Sequence, residues 1–289
     1  MSSLPIKKKN NSGFTLIEII VGFIVIGALT GGIYVWQSKN NQPTDPSSNE
    51  NEQENIEPES IQEPVSQVSW SFDGTSWQSS STPPGCTSPL IMQAPTNLSA
   101  ATSILYPGQT RGGNYKPHGG FRFDTSQNED VIVTAPFDAY LVQGSRYIEK
   151  GEVQYLLEFV HPCGISYRFD HLLTLATDIA TLADSLPQAQ VDDSRTTFFN
   201  EPLFVKQGDV IATAVGFKLS QNVAVDWGVY DLRSKNEASQ DPTWANEHDI
   251  QLAHYAVCWF DLLSEENATL VKSLPPGDST SGSQSDYCT

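Results

Sequence analysis

The sequence predicts a mainly β, antiparallel domain that follows one transmembrane helix and a disordered linker. Three observations support this prediction. Short apolar runs alternate with turns marked by Gly and Pro from about residue 68 onward. An apolar segment of about 23 residues near the N-terminus is long enough to cross a bilayer. The stretch between them is polar, acidic and interrupted by Pro, so it holds too little apolar surface to bury a core.

Composition limits the classes of partner. The chain has 289 residues and a formal net charge of -18, with a pI near 4.5. A balance this acidic argues against nucleic acid and against anionic membrane surfaces as partners. The length suits one good-sized domain with appendages.

The apolar segment, residues 14–36, is the predicted transmembrane helix. Lys7, Lys8 and Lys9 precede it, so the positive-inside rule predicts a single-pass protein of the cell membrane. Its N-terminus would be cytoplasmic and its C-terminal domain extracytoplasmic, at the cell surface. A cleaved secretory signal is the alternative, but the apolar run is too long and no small-x-small site follows it. Glu18 interrupts the run, and an ionisable group in a membrane segment predicts a specific partner.

The string Ser-Gly-Phe-Thr-Leu-Ile-Glu, which ends at Glu18, resembles the leader of type IV prepilins. The resemblance implies that prepilin peptidase cuts after Gly13, so that residues 1–13 are the leader. It also implies that Phe14 is then methylated and that Glu18 pairs with the terminal amine of another pilin-like subunit. Pilins continue this segment as a long amphipathic helix, whereas residues 37–68 here read as a disordered acidic linker. The leader could therefore serve anchoring and processing alone, or filament assembly as well.

Residues 69–265 are predicted to form the exported β domain, and residues 266–289 a C-terminal tail rich in Gly, Ser and Pro. Asp73-Gly74 predicts a hairpin turn between Trp70 and Trp77. Helical spacing of Leu and Ile in residues 174–186 predicts a short amphipathic helix or an insertion. The other apolar runs predict strands, and they occupy residues 131–135, 140–142, 154–160, 165–169, 204–212 and 222–232.

All four cysteines lie in the exported part, where an even count predicts two disulfides. Proximity along the chain favours Cys258–Cys288, which leaves Cys86–Cys163. The sequence alone does not fix this pairing, and free buried thiols are the alternative. No pair has Cys-x-x-Cys spacing, so we expect no thiolate zinc site.

The segment Lys116–Asp124 is the most informative stretch of the domain. As one extended strand it would place His118, Gly120, Arg122 and Asp124 on one face, with Phe121 and Phe123 on the other. A histidine beside acids can build a metal or acid–base site. A half-buried strand with a polar side is the simpler interpretation.

The order of motifs over roughly residues 105–235 resembles the lysostaphin/LytM-type zinc endopeptidases. The resemblance implies an antiparallel β-sandwich or barrel, the duplicated hybrid motif of that family. In the family, His-x-Gly-x-Asp supplies two zinc ligands, a Tyr-x-x-His-Leu segment a catalytic histidine, and a final His-x-His strand the third ligand. The matching segments here contain His118-x-Gly120, Tyr167 to His171-Leu172 with one extra residue, Val205 to Ile211, and Val225 to Val229.

The chemistry of the family does not transfer to these residues. Arg122 stands where the aspartate ligand should be, and it has no lone pair to give a metal. Asp226 and Gly228 replace the two histidines of the last strand, so only His118 remains of three ligands, beside the catalytic-type His171. We therefore expect no catalytic residue, with His118 and His171 only as remnants of the family pattern, and no metal and no cofactor. We also hypothesise that Arg122 and Asp226 form a bidentate pair across the old cleft. His248 and His254 we interpret as surface or capping residues.

Three functions stay open at this level. The favoured one is a membrane-anchored, degenerate peptidase-like domain that binds cell-wall peptidoglycan or regulates a partner hydrolase. Its groove would contain Tyr115, His118, Arg122, His171, Asp226 and Trp227. The second is an active metal-dependent cell-wall endopeptidase, the only case that requires zinc. The third is a minor pilin or adhesin.

Overall fold

A computed structural model describes residues 68–288 of the chain, and this part is mainly β, as predicted. The predicted leader, residues 1–13, the predicted span, residues 14–36, and nearly all of the predicted linker lie outside the described residues. Within 68–288 no helix has the length and apolar character needed to span a bilayer. The proposed domain boundaries stay predictions.

The strands are numbered in chain order. Their bounds are β1 Trp70–Phe72, β2 Trp77–Ser79, β3 Ser103–Leu105, β4 Gln109–Arg111, β5 Asn114–Lys116, β6 Gly119–Arg122, β7 Val133–Thr134, β8 Ala139–Glu149, β9 Glu152–Val160, β10 Ile165–Leu175, β11 Gln190–Val191, β12 Thr197–Val205, β13 Val210–Val215 and β14 Ala224–Asp231. The α-helices are α1 Thr177–Ala183, α2 Pro242–Glu247 and α3 Glu265–Ser273. Short 3₁₀ turns lie at Leu98–Ala100, Asn128–Asp130, Ala238–Gln240, Ala253–Tyr255 and Trp259–Leu262.

One large sheet organises the described domain. Its strands follow the order β11-β8-β9-β10-β14-β6-β3, with β12 paired to β8, β13 to β10 and β7 to β13. Most pairs are antiparallel, but β11 runs parallel to β8, so the sheet is mixed and follows an open path. Two small sheets, β1-β2 and β4-β5, complete the strand set. The finer assignment to a sandwich or barrel stays a prediction.

The hydrophobic core lies on one face of the central strands β10, β14 and β6. Phe121, Phe169 and Trp227 project from these strands and are fully buried. Trp259, from a later 3₁₀ turn, packs 4.5 Å from Trp227 and 5.1 Å from Phe121 between ring centroids. Close-packed aromatic rings of this size supply most of the hydrophobic stabilisation of such a core.

Several local predictions are confirmed. The Asp73-Gly74 turn joins β1 to β2, with Asp73 Oδ1 accepting from the backbone N–H groups of Thr75 and Ser76. The helical pattern of residues 174–186 corresponds to the end of β10 followed by α1. Both disulfides form as favoured, Cys86–Cys163 and Cys258–Cys288.

The single strand predicted for Lys116–Asp124 is wrong. Strand β5 ends at Lys116 and pairs with β4, whereas β6 begins at Gly119 and joins the large sheet. Pro117 lies between them and has no N–H for a strand ladder, so the chain changes sheets at this point. His118 therefore occupies the connection rather than a regular strand position.

The C-terminal tail is built into the domain. The backbone N–H of Ile104 donates to Pro275 O, and that of Gly277 donates to Ile104 O, so the tail runs beside the edge strand β3. Further along, Gln109 Nε2 donates to the carbonyls of Gly282 and Gln284. The Cys258–Cys288 disulfide joins the end of this tail to the segment between β14 and α3.

Candidate functional site

The candidate site begins with the polar face of β10 and β14, opposite the aromatic core. In the antiparallel register Arg168 pairs with Gly228 and Asp170 with Asp226. Directly paired residues project to the same side of a sheet, so these side chains share the face away from Phe169 and Trp227. Arg168 and Asp170 are joined by an ion pair of 2.8 Å, and both side chains are nearly buried.

A bulge in β10 brings His171 to the same face. The register of β10 against β9 shifts between Phe169 and Leu172, and both of these residues stay in the core. His171 lies within that shift and has φ of 56°, a left-handed conformation that non-glycine residues rarely adopt. Successive residues Asp170 and His171 therefore both reach the polar face. Strained backbone of this kind concentrates at functional sites.

Three sequence-predicted residues meet here, and we call His118, His171 and Asp226 the His–Asp cluster. The Oδ2 atom of Asp226 lies 3.4 Å from His118 Nε2 and 3.7 Å from His171 Nε2. The side chain of Asp226 is 17% exposed, that of His171 21% and that of His118 10%. The cluster is therefore nearly buried but reachable from solvent through Asp226 and His171.

A second set of buried residues lies next to the cluster and contacts His171. Tyr147 donates its hydroxyl proton to Asp170 Oδ1 over 2.6 Å, and its oxygen lies 3.1 Å from His171 Nδ1. Arg168 lies close enough to Asp170, Glu158 and Asp226 for their charges to keep its pKa above the ordinary value, although burial alone would lower it. Sequence reasoning missed Tyr147, Asp170 and Arg168 as site residues. The alternation of β10 could have indicated Arg168 and Asp170, because both share one strand face.

Burial and nearby charges shift the pKa values of the cluster and of the residues around it. Burial alone would raise the pKa of Asp226, but contact with His118 and the charges of His171 and Arg111 outweigh it and hold that pKa well below its usual range. Burial raises the pKa of Glu158, which contacts Gln143. Burial also raises the pKa of Tyr147, with the nearby Asp170 acting in the same direction, so the phenol keeps its proton.

Glycine is required at two positions beside the cluster. At Gly120, opposite Asp226, a Cβ atom would lie 2.0 Å from Val225 O, so no side chain fits. At Gly228 a Cβ atom would lie 2.5 Å from Tyr230 Oη and 3.0 Å from His118 Cβ. The space next to Gly228 is thus filled by Tyr230 and His118.

The hypothesis of an Arg122–Asp226 pair is wrong. Arg122 donates to Asp124 Oδ1 over 2.7 Å, whereas the charged contacts of Asp226 are with the two histidines. Arg122 is paired with Ala224 and Asp226 with Gly120, so the two side chains are offset by two residues along the sheet. Asp124 is closer to the guanidinium and more exposed to solvent.

Two other groove residues predicted from the sequence lie elsewhere. Trp227 is fully buried in the aromatic core on the opposite face, so its assignment to the groove is wrong. Tyr115 belongs to an aromatic cluster, which we define as Tyr115, Trp244, His248 and Tyr287. Asp286 Oδ2 accepts from both Tyr115 Oη, at 2.9 Å, and Trp244 Nε1, at 2.7 Å.

The outcomes for the last two histidines differ. His248 is the C-cap residue of α2 and stacks 4.2 Å from Trp244, consistent with a capping role. His254 is buried rather than on the surface, and its Nε2 atom lies 3.1 Å from Ala245 O in the last turn of α2, so of its two interpretations the capping one fits.

The zinc arrangement of the peptidase family does not fit these residues. Arg122 is committed to Asp124, and the position of the missing histidine, Gly228, is filled from both sides. The nearby Arg168 is a permanent cation that would oppose a divalent ion. Among residues 68–288 no group of three or more His, Cys, Asp or Glu residues could hold a metal ion.

A surface cavity of about 560 Å³ lies away from the His–Asp cluster. Amides, hydroxyls and apolar groups line it, with Asp130 as its one ionisable side chain. It brings no two ionisable groups together, whereas the His–Asp cluster does, so the His–Asp cluster remains the better candidate site.

Comparison with known proteins identifies the N-terminus. Residues 8–34 match the model of the prokaryotic N-terminal methylation motif. No curated protein matches the chain, and no solved structure matches it. The motif gives the chain a type IV pilin-like N-terminus, which indicates membrane anchoring through that end and processing by prepilin peptidase. The match covers residues 8–34 alone, and through that motif the N-terminus resembles those of type IV pilin-like, membrane-associated surface proteins.

Proposed function

We propose that the exported β domain is a binding module for cell-wall peptidoglycan that does not hydrolyse it. The degenerate lysostaphin/LytM-type resemblance motivates the ligand, and the His–Asp cluster supplies the candidate contact. One observation carries the proposal: the contacts of the nearly buried Asp226 carboxylate with His118 and His171, at 3.4 and 3.7 Å, are longer than the roughly 2.7–2.9 Å of a strong charge-assisted hydrogen bond. A nearly buried carboxylate is costly without donors, so a site that keeps one is prepared for a ligand.

The proposal disfavours hydrolysis for a geometric reason. A zinc peptidase needs three protein ligands and an open position for water. At Arg122 and Gly228 the chain has a bound guanidinium and a filled space instead. The histidines remain, but as contacts of Asp226 rather than as a ligand set.

Sedimentation with purified peptidoglycan sacculi tests this function, with the full chain in detergent. We expect the wild type to pellet with sacculi and to release no soluble fragments. We expect Asp226→Asn to stay in the supernatant. Asp124→Asn is the matched control, because it also removes one carboxylate from the same region, and it should pellet like the wild type. Fragment release by the wild type, or equal pelleting of both variants, would contradict the proposal.

The methylation motif favours a second role, as a subunit of a pilus-like filament. Glu18 is the residue expected to pair with the amine that cleavage creates at Phe14. In cells, we expect Glu18→Ala to be processed normally but to be absent from sheared surface filaments. Glu52→Ala in the predicted linker is the matched control. If both variants reach the filaments equally, or if no filament contains the protein, the chain is an anchored surface protein only.

A further inference from the structure

We propose that the His–Asp cluster recognises a primary ammonium group on its ligand. This inference rests on the proposed function, because it names the chemical group through which a peptide of the cell wall would be held. It follows from where the protons lie along the series of side-chain contacts Asp170–Tyr147–His171–Asp226.

The first step fixes the proton of Tyr147. Asp170 is paired with Arg168 at 2.8 Å and accepts at Oδ1 from the Tyr147 hydroxyl at 2.6 Å. Asp170 also accepts at Oδ1 from the backbone N–H of His171 at 2.8 Å. A tyrosine has one proton to donate, and Tyr147 gives it to this carboxylate.

The second step fixes the tautomer of His171. The Tyr147 oxygen lies 3.1 Å from His171 Nδ1, and it has no second proton to donate. That contact is therefore a hydrogen bond in which Nδ1–H of His171 donates to the tyrosine oxygen. In the neutral imidazole the Nε2 atom then carries a lone pair. A buried acceptor behind one ring nitrogen is a common way to orient the other toward a site.

The third step is the consequence at Asp226. When His171 is neutral, the lone pair of its Nε2 atom faces the Asp226 Oδ2 atom at 3.7 Å, so two acceptors confront each other. His118 reaches the same oxygen with Nε2 at 3.4 Å, and its Nδ1 atom is buried with no partner among the described residues. A group that brings both positive charge and N–H donors would satisfy Asp226 and His171 together.

A primary ammonium group suits the cluster better than a divalent ion does. It carries three N–H donors on a slender stem, which matches a site where Asp226 is 17% and His171 21% exposed. Glu149, with Oε2 3.8 Å from His171 Nδ1, adds a third acid nearby. The charges of Arg168 and Arg111 act on Asp226 from the protein side, and they favour a single positive charge over a divalent ion.

The experiment compares sacculi before and after acetylation of their free amines with acetic anhydride. Acetylation removes the charge and leaves an amide. We expect the full chain in detergent to bind acetylated sacculi at least about tenfold more weakly, since loss of a charged hydrogen bond is worth about 1.5–3 kcal/mol. Asp226→Asn should bind both preparations equally weakly, and Asp124→Asn should discriminate like the wild type.

The possible results separate the two proposals. Equal binding of native and acetylated sacculi by the wild type would overturn the ammonium group but leave peptidoglycan binding intact. A wild type that pellets with neither preparation would overturn the proposed function and this inference with it. Discrimination that survives in Asp226→Asn would place the ammonium site elsewhere and overturn the assignment.

A second measurement does not depend on binding. Long-range ¹H–¹⁵N spectra of the five histidines distinguish the two neutral tautomers. The His171 signal is assigned by its loss in His171→Gln. We expect the Nδ1–H tautomer in the wild type without ligand and loss of that preference in Tyr147→Phe. An Nε2–H tautomer in the wild type would overturn the inference.

Discussion

The two faces of β10 and β14 differ in kind although they belong to the same strands. One face carries Phe169 and Trp227, which are fully buried among other aromatic rings. The other carries Arg168, Asp170 and Asp226, which are nearly as buried but charged. Burying apolar area stabilises a fold, whereas burying charges is costly unless each is paired. The comparison indicates that the first face supplies stability and that the second is retained for a purpose other than stability.

Removing the largest side chain of the apolar face gives the largest expected effect. Trp227→Ala would leave a cavity between Phe121 and Trp259. We expect it to lower the free energy of unfolding by about 3–5 kcal/mol. Chemical denaturation of the full chain in detergent measures this, with Leu219→Ala, an exposed apolar residue, as the control. A loss below about 1 kcal/mol would show that this face is not the source of stability.

Breaking the ion pair of the polar face should cost nearly as much. Arg168→Met keeps the length of the side chain but leaves Asp170 without its cation. Uncompensated buried charge of this kind costs about 3 kcal/mol, as measured by the same denaturation. Arg168→Met combined with Asp170→Asn should recover most of the loss, because the amide needs no counter-charge and its oxygen can still accept from Tyr147 and from the His171 N–H. A double variant as unstable as the single one would contradict the electrostatic explanation.

Filling the space beside Gly228 should destabilise the protein by about 1–3 kcal/mol, as overpacking does. The Cβ atom of Gly228→Ala would lie 2.5 Å from Tyr230 Oη, which has no hydrogen-bond partner among the described residues. Tyr230→Phe should therefore be nearly neutral alone and should relieve part of the Gly228→Ala loss. A double-mutant cycle measures the coupling. Strict additivity would mean that the clash is with His118 and with the ring of Tyr230, which Phe keeps, rather than with the hydroxyl.

The pH dependence of stability should differ between the faces. The folded-state pKa of Asp226 is lowered, so its contribution to stability is present above its unfolded pKa of about 3.9 and is lost as pH falls through that value and below. Each unit of lowering corresponds to about 1.4 kcal/mol. In Asp226→Asn the free energy of unfolding should fall less steeply than in the wild type as the pH drops below about 5. In Trp227→Phe the free energy of unfolding should change with pH as steeply as in the wild type. The same slope in the wild type, Asp226→Asn and Trp227→Phe would contradict the prediction.

The smallest effect is expected at the exposed edge of the polar face. Arg122 pairs with Asp124, and their side chains are 31% and 49% exposed. An exposed ion pair contributes about 0.2–1 kcal/mol, so Arg122→Ala should change stability by no more than that and should leave sacculus binding unchanged. A loss above about 2 kcal/mol, or lost binding, would show that Arg122 belongs to the site after all.

The sequence predicts local features of this domain well where a local rule decides them. The Asp-Gly hairpin and the strand runs follow from turn chemistry and alternation, and proximity along the chain favours the disulfide pairing without fixing it. It predicts less well where tertiary packing decides. Alternation alone shows that Asp226 and Trp227 point to opposite sides, but not which side is core, so it does not exclude Trp227 from the groove. Pro117 alone does not show that two different sheets meet at this point. The one extra residue between Tyr167 and His171 coincides with the bulge, but spacing does not show which way the bulge turns His171.

The tail that ends in Cys288 has a consequence for how the molecule matures. Asp286, which accepts from both Tyr115 and Trp244, lies 171 residues after Tyr115 in the chain and two residues before Cys288. Its anchor is a covalent bond that forms only in an oxidising compartment. The surroundings of Tyr115 are therefore complete only after a segment 171 residues further along the chain has been synthesised and its disulfide has formed. A variant that ends just before Asp286 would keep the residues of the His–Asp cluster but lack these contacts of the aromatic cluster.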